Sequence, residues 1–227
     1  MTEQSPDLKS PCGRSFKSSL AAEALLAMQT GVLRMTYRGR ICAKSPLDMA
    51  LYLLLLDRLR PQTVIEIGAK RGGSALWFAD MQSAAGINGR VISIDRQPPT
   101  DLADPRISFF TGDAAALEQT LTPDMLAKLP RPWLISEDSA HTFAVCLAVL
   151  RFFDKHMKDG EYIVIEDGIV SDLPGKLYRG YKDGPNRAVT EFLSERRGKY
   201  AIDAELCDHF GYNATYNPNG WLKRIGA

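Results

Sequence analysis

Five short apolar runs mark the middle of the chain: VIEI at 64–67, RVISI at 90–94, ISFF at 107–110, WLIS at 133–136 and YIVI at 162–165. Runs of this length, β-branched and apolar at successive positions, suit strands buried on both faces of a parallel sheet. Between them the periodicity changes to that of helices, over 74–84, around 114–118, over 123–129 and over 142–156. The last of these has an apolar face through Val145, Leu147, Val149, Leu150 and Phe153. Regular strand–helix alternation predicts an α/β fold with a doubly wound, mostly parallel sheet. Downstream, a helix over 186–195 and strands at 200–202, 210–215 and 221–225 fit a C-terminal antiparallel hairpin that continues the sheet. Upstream, residues 1–15 are polar and read as a disordered tail. Residues 16–60 form a helical extension. It begins with a weakly amphipathic pattern from Phe16 to Met28, ended by Gly31, and a loop around Tyr37, Gly39 and Arg40 follows. A helix then runs from Pro46 to about Leu59 with Ser45 as its N-cap. The main domain is 61–227, and its Gly- and Pro-rich stretch at 170–185 reads as a lid.

Composition narrows the partners. At 227 residues the chain can bury one full core. Lys plus Arg is 28 against 27 for Asp plus Glu, a net charge of +1, which pulls it towards neither nucleic acid nor an acidic membrane. The most apolar helix, 49–59, is too short to cross a bilayer, which takes about 20 residues. The polar N-terminus lacks the apolar core of a secretory leader, so the cytoplasm is expected. Cys12, Cys42, Cys146 and Cys207 form no C-x-x-C and suit a reducing compartment, three as buried thiols and Cys12 in the tail.

The candidate chemistry sits at the strand ends. After the first run come Gly68, Gly72, Gly73 and Ser74, a G-x-x-x-G-G turn rather than the G-x-G-x-x-G of dinucleotide enzymes. Gly68 can take angles closed to other residues, and Gly72 and Gly73 let backbone approach a ligand or the sheet. Glu66 is a carboxylate inside an apolar strand and needs partners. Asp95 ends the second strand, placed to accept from ribose hydroxyls, and Asp113 ends the third, where it or its backbone can meet a base. Acids at three strand ends without a phosphate grip suit a positively charged nucleoside ligand, with S-adenosylmethionine the obvious candidate. Asp138 follows the fourth strand, and Glu166 and Asp167 follow the fifth. Neighbouring strand ends lie about 5 Å apart, so these acids would meet and would need a cation, Mg²⁺ by preference with Ca²⁺ or Mn²⁺ possible. Glu137 competes with Asp138, because either could face the site. His141, one helical turn beyond Asp138, is a candidate base or a hydrogen-bonding partner of a metal ligand. Lys44, Lys176 and Lys182 are further base candidates.

Several stretches carry a family likeness: KSPLDM at 44–49, RPQTVIEIGAKRGGSALWFADM at 60–81, GRVISID at 89–95, EDSAHT at 137–142, GEYIVIEDG at 160–168, GPNRAVTEFL at 184–193 and TYNPNGWLKRI at 215–225. On these the chain resembles the cephalosporin hydroxylase family, a historical name for proteins similar to cephalosporin 7-alpha-methoxylation and rhamnosyl O-methyltransferases. The resemblance implies a Rossmann-like class I methyltransferase fold that uses S-adenosylmethionine and Mg²⁺. It puts the metal ligands at Asp138, Glu166 and Asp167, donor contacts at Glu66, Gly68, Gly72, Gly73, Ser74 and Asp95, and His141 in the acidic turn. It also implies a homo-oligomer. Lys70 and Arg71, two cations in the glycine loop, depart from the pattern.

The expectation is a Mg²⁺-dependent O-methyltransferase acting on a small hydroxylated metabolite, a natural-product or sugar intermediate, with Tyr178, Tyr181 and Trp221 walling the substrate. A non-catalytic nucleoside-binding subunit of another enzyme is the alternative from a different class. A true hydroxylase lacks its His-x-Asp…His iron triad here, and nucleic-acid methylation lacks a basic stripe.

Overall fold

The structure is a computed structural model that describes residues 8–175, 178, 180, 181 and 184–226. Its first helix, α1 (Ala22–Val32), starts later than expected and runs through Gly31. Phe16 lies outside it and is buried in the main core. Where a loop was expected, β1 (Thr36–Tyr37) and β2 (Arg40–Ile41) pair as a small antiparallel hairpin. Helix α2 (Pro46–Leu59) begins as the sequence dictates: Ser45 Oγ accepts from the Asp48 amide and Pro46 takes the first turn. It ends at Arg60, in the left-handed region, before Pro61.

The main domain follows as β3 (Thr63–Ile67), α3 (Gly73–Ala84), β4 (Arg90–Asp95), β5 (Ile107–Thr111), α4 (Pro123–Lys128), β6 (Trp133–Glu137), α5 (Phe143–Asp154), β7 (Tyr162–Ile165), α6 (Gly184–Glu195), β8 (Tyr200–Ile202), α7 (Ala204–Cys207) and β9 (Trp221–Arg224). The seven-stranded sheet has the order β5-β4-β3-β6-β7-β9-β8. Pairings from β5 through β7 are parallel, while β9 is antiparallel to both β7 and β8. The expected antiparallel C-terminal pair is therefore present, but the strand expected at 210–215 is not. Those residues turn instead, with Asn213 at φ 48° and Asn219 at φ 53° bending the chain back.

Side-chain alternation along the central strand sets the two layers. Ile65 and Ile67 face the layer of α5 and α6, packing among Cys146, Leu150, Phe153 and Phe192. Val64 faces the layer of α2 and α3, among Leu55, Leu56, Phe78 and Trp221. Period-two alternation gives Glu66 that same face. Tyr52 closes the layer, its ring 5.0 Å from that of Phe78 and 4.7 Å from that of Trp221. Trp221, expected as a substrate wall, is thus core.

The N-terminal segment is also corrected. From residue 8 it is pinned rather than loose: Lys9 bridges to Ser15, and Arg14 forks onto Asp208 at 2.7 and 3.0 Å. Asn213 and Asn219 both donate to the Ser15 carbonyl at 2.8 Å. The C-terminal turns offer unpaired amides and an acid, and the segment satisfies them. Residues 1–7 of the expected tail lie outside the described residues.

Candidate active site

Strand order reverses on either side of β3, with β4 on one side and β6 on the other, so the crevice opens at the carboxyl ends of β3 and β6. A cavity of about 680 Å³ lies there. Gly68 ends β3 at φ 109°, and a Cβ on it would lie 2.2 Å from the Asp138 carbonyl oxygen. Only glycine allows the two strand ends to close on each other this tightly. Gly72 and Gly73 both allow close packing at the start of α3. Gly72 is the N-cap of α3 in the left-handed region, packed on Leu102. Gly73 abuts the Ile41 carbonyl, so the β1–β2 hairpin seats on the start of α3. Neither lines the cavity, whereas Gly68, Lys70, Arg71 and Ser74 do.

Asp95 stands at the cavity edge, its two oxygens accepting from the amides of Lys70 and Gln97 at 2.9 and 2.8 Å. Both oxygens keep lone pairs for a ligand hydroxyl. Asp113 also lines the cavity, while capping the turn that follows it through the Ala115 amide and pairing with Arg96 at 2.8 Å. Glu66 is fully buried and accepts from Ser93, yet its Oε1 has no hydrogen-bond partner. Burial pushes its pKa up to about 7 despite Lys44 nearby. Glu66 is absent from the cavity wall, and Lys44, Ser74 and Ser93 offset part of the cost of its charge.

Asp138 and Asp167, from the β6 and β7 turns, come together with His141 beside them. Ligand atoms of Asp138, His141 and Asp167 all lie within 4.8 Å of one another. His141 Nε2 is 3.4 Å from Asp167 Oδ2 and 4.0 Å from Asp138 Oδ1. Two carboxylates and an imidazole converging this closely suit a divalent cation. Glu166, expected as the third ligand, stands outside that group. Both its oxygens lie 2.7 Å from the Lys44 ammonium, and the hydroxyls of Tyr52 and Ser136 donate to it as well. The reason is alternation: Glu166 turns to the α2 layer, where Lys44 waits. Glu137 points the other way, buried against Ser139 and the Cys146 thiol, which settles the choice between it and Asp138.

His141 and Asp167 both have left-handed backbones, at φ 52° and φ 58°. The Asp167 amide is held by Asn217 Oδ1 at 3.0 Å. Burial works against a charged His141, but Asp167 and then Asp138 outweigh it and raise its pKa. Tyr181 meets the imidazole edge-on, with ring centroids 5.8 Å apart, and both Tyr178 and Tyr181 line the cavity. Opposite them, α1 and the hairpin contribute Gln29, Val32, Leu33 and Ile41, which sequence reasoning missed because nothing local marks them. Lys176 and Lys182 lie outside the described residues, and Lys44 is a partner of carboxylates rather than a wall of the cavity.

Sheet order, glycine turn and strand-end acids together define a class I methyltransferase architecture with a candidate cation site beside the donor crevice. The chain belongs to the Rhamnosyl O-methyltransferase/CmcI family, whose model matches residues 30–225. With that family it is an S-adenosylmethionine-dependent O-methyltransferase acting on a small-molecule hydroxyl. A rhamnosyl O-methyltransferase of Mycobacterium bovis is 31% identical over 196 residues, 83% of this chain and 78% of that protein. An apo-structure of CmcI aligns at a TM-score of 0.67 and 27% identity, covering 86% of this chain and 78% of the other. CmcI with Mg and SAM aligns at 0.64 and 25% identity, with the same coverage.

Proposed function

We propose that the chain transfers the methyl group of S-adenosylmethionine to one hydroxyl of a natural-product or sugar intermediate, with Mg²⁺ held by Asp138 and Asp167. The observation that carries this is the convergence of Asp138, His141 and Asp167 at the mouth of the donor crevice. When bound, the ion acts as a Lewis acid that lowers the pKa of the acceptor hydroxyl and orients it. Asp95 accepts from the donor's hydroxyls at the cavity edge, and Gly68 lets the ends of β3 and β6 close on each other beside it. His141 Nε2 takes the hydroxyl proton. Its pKa is held up by the neighbouring carboxylates, so answering their charge returns the imidazole towards its ordinary value, where it can accept a proton. Methyl transfer then depends mostly on alignment, and Tyr178 and Tyr181 supply a wall on the acceptor side. The same reading places the enzyme in the cytoplasm as a homo-oligomer.

The test is calorimetric titration of metal-stripped protein with S-adenosylmethionine and then Mg²⁺, on wild type, Asp138→Ala and Asp167→Ala. All three should bind the donor, and only wild type should bind the cation with full affinity. Failure of wild type to bind the donor overturns the reading.

A further inference from the structure

Strand β7 ends at Ile165, yet the chain beyond it goes on donating to the same neighbour. The amides of Ile165, Asp167 and Ile169 donate to the Gly220 carbonyl at 2.9 Å, to Asn217 Oδ1 at 3.0 Å and to the Tyr216 carbonyl at 3.0 Å. One C-terminal turn, 216–220, thus accepts from three alternate positions and prolongs the antiparallel ladder of β7 with β9. Two of the acceptors are backbone. The middle one, opposite Asp167, is a side chain. There the backbone curls through Pro218 and the left-handed Asn219, and the Asn217 amide group stands in for a peptide carbonyl.

That contact falls on a residue held in an unusual conformation. Asp167 is left-handed, at φ 58° and ψ 25°. In a continued strand its side chain would share the face of Ile165, towards α5 and α6. The left-handed backbone breaks the alternation and leaves Asp167 Oδ2 3.4 Å from His141 Nε2, within the candidate cation group. Such a backbone at a residue other than glycine persists only where its surroundings hold it.

Asn217 is 1% exposed and does not line the cavity. Its Nδ2 is buried with no hydrogen-bond partner among the described residues. Packing alone would be better served by an apolar side chain, because a buried donor left unpaired is unfavourable. What the position uses is the carbonyl oxygen. The residue is itself anchored: its amide donates to Thr215 Oγ1 at 3.0 Å, and that hydroxyl is fixed by Asp48 of α2 and by Trp221 Nε1 at 3.2 Å.

We propose that Asn217 is a positioning residue of the cation site, acting through Asp167. The proposal rests on the Mg²⁺ reading above. Partners that orient a metal ligand typically matter by about 10–100-fold in metal affinity.

The experiment is titration of the donor-loaded protein with Mg²⁺. Asn217→Leu, similar in shape but without the acceptor, should bind S-adenosylmethionine as wild type does and Mg²⁺ about 10–100-fold more weakly. Asn217→Ser guards against a folding defect in that variant. Its shorter side chain leaves the Asp167 amide unanswered, so it should show the same selective loss. Asn217→Asp keeps an oxygen in place for the amide and should recover most of the Mg²⁺ affinity. A merely structural asparagine would weaken donor and cation together. That outcome, wild-type Mg²⁺ affinity in Asn217→Ser, or no recovery in Asn217→Asp overturns the proposal and leaves the cation site standing. If wild type binds the donor but no Mg²⁺, the cation reading itself falls and takes the proposal with it.

Discussion

Single residues carry most of the site's precision, and Gly68 is the sharpest case. Its backbone is in a region closed to other residues, and the Asp138 carbonyl occupies the space of a side chain. Gly68→Ala should therefore separate the ends of β3 and β6, costing more than about 1 kcal/mol in stability and at least tenfold in donor affinity. Denaturant unfolding and donor titration measure the two, and an alanine variant with wild-type values in both would refute the close approach. Asp48 makes a different point. It is buried in α2, accepting from Thr215 and from the Tyr216 amide at 3.0 Å, and burial pushes its pKa up to about 7. The folded chain keeps a proton that the unfolded chain releases near pH 4, so this contribution to stability is full below about pH 4 and fades as pH rises to about 7. A shift of that size limits the loss to about 4 kcal/mol. Asp48→Asn should flatten the stability–pH profile over that window in chemical denaturation; parallel profiles for the two proteins would show that Asp48 does not titrate there.

At the scale of elements, the informative unit is α2 with the residue before its cap. Its sequence, KSPLDMALY, announces a helix start, and the helix is where the pattern puts it. What the pattern conceals is that Lys44 and Tyr52 converge on Glu166, while Asp48 reaches the turn at Thr215 and Tyr216. The five core strands were legible because apolar runs and turn residues are local signals. The meeting of Asp138 and Asp167 was legible as well, since strand ends gather in any parallel sheet. The pairing of Glu166 with Lys44 was not legible, because the lysine is 122 positions away, on an element whose register no local rule fixes. The partners of Gly72 and Gly73 were hidden for a like reason: glycine signals close approach, but not that it is to Leu102 and the Ile41 carbonyl. The expected strand at 210–215 failed where Asn213, φ 48°, turns the backbone out of extended geometry.

The whole molecule presents one more consequence of the extension. Leu53 and Leu54 lie on α2 with 47% and 40% of their surface exposed, adjacent large apolar side chains on a helix whose Leu51, Tyr52, Leu55 and Leu56 are buried. Under the homo-oligomer reading this edge is a natural contact between copies. Wild type should sediment as more than a monomer, and Leu53→Glu with Leu54→Glu should sediment as a monomer that still binds the donor. A wild-type monomer at micromolar concentration would remove the oligomer from the reading. Among the described residues, no helix is long and apolar enough to cross a membrane.

The reach of Lys44 also fixes an order of events at the ribosome. The lysine is made 122 residues ahead of Glu166, and the Asp48–Thr215 contact waits a further stretch, spanning 167 positions. At about 5–20 residues per second the interval is on the order of ten seconds. Through that time the ammonium stays hydrated at the surface of an unfinished chain. A nascent protein halted before Thr215 would therefore lack the contacts that Asp48 and the Asp167 amide make with the C-terminal turns.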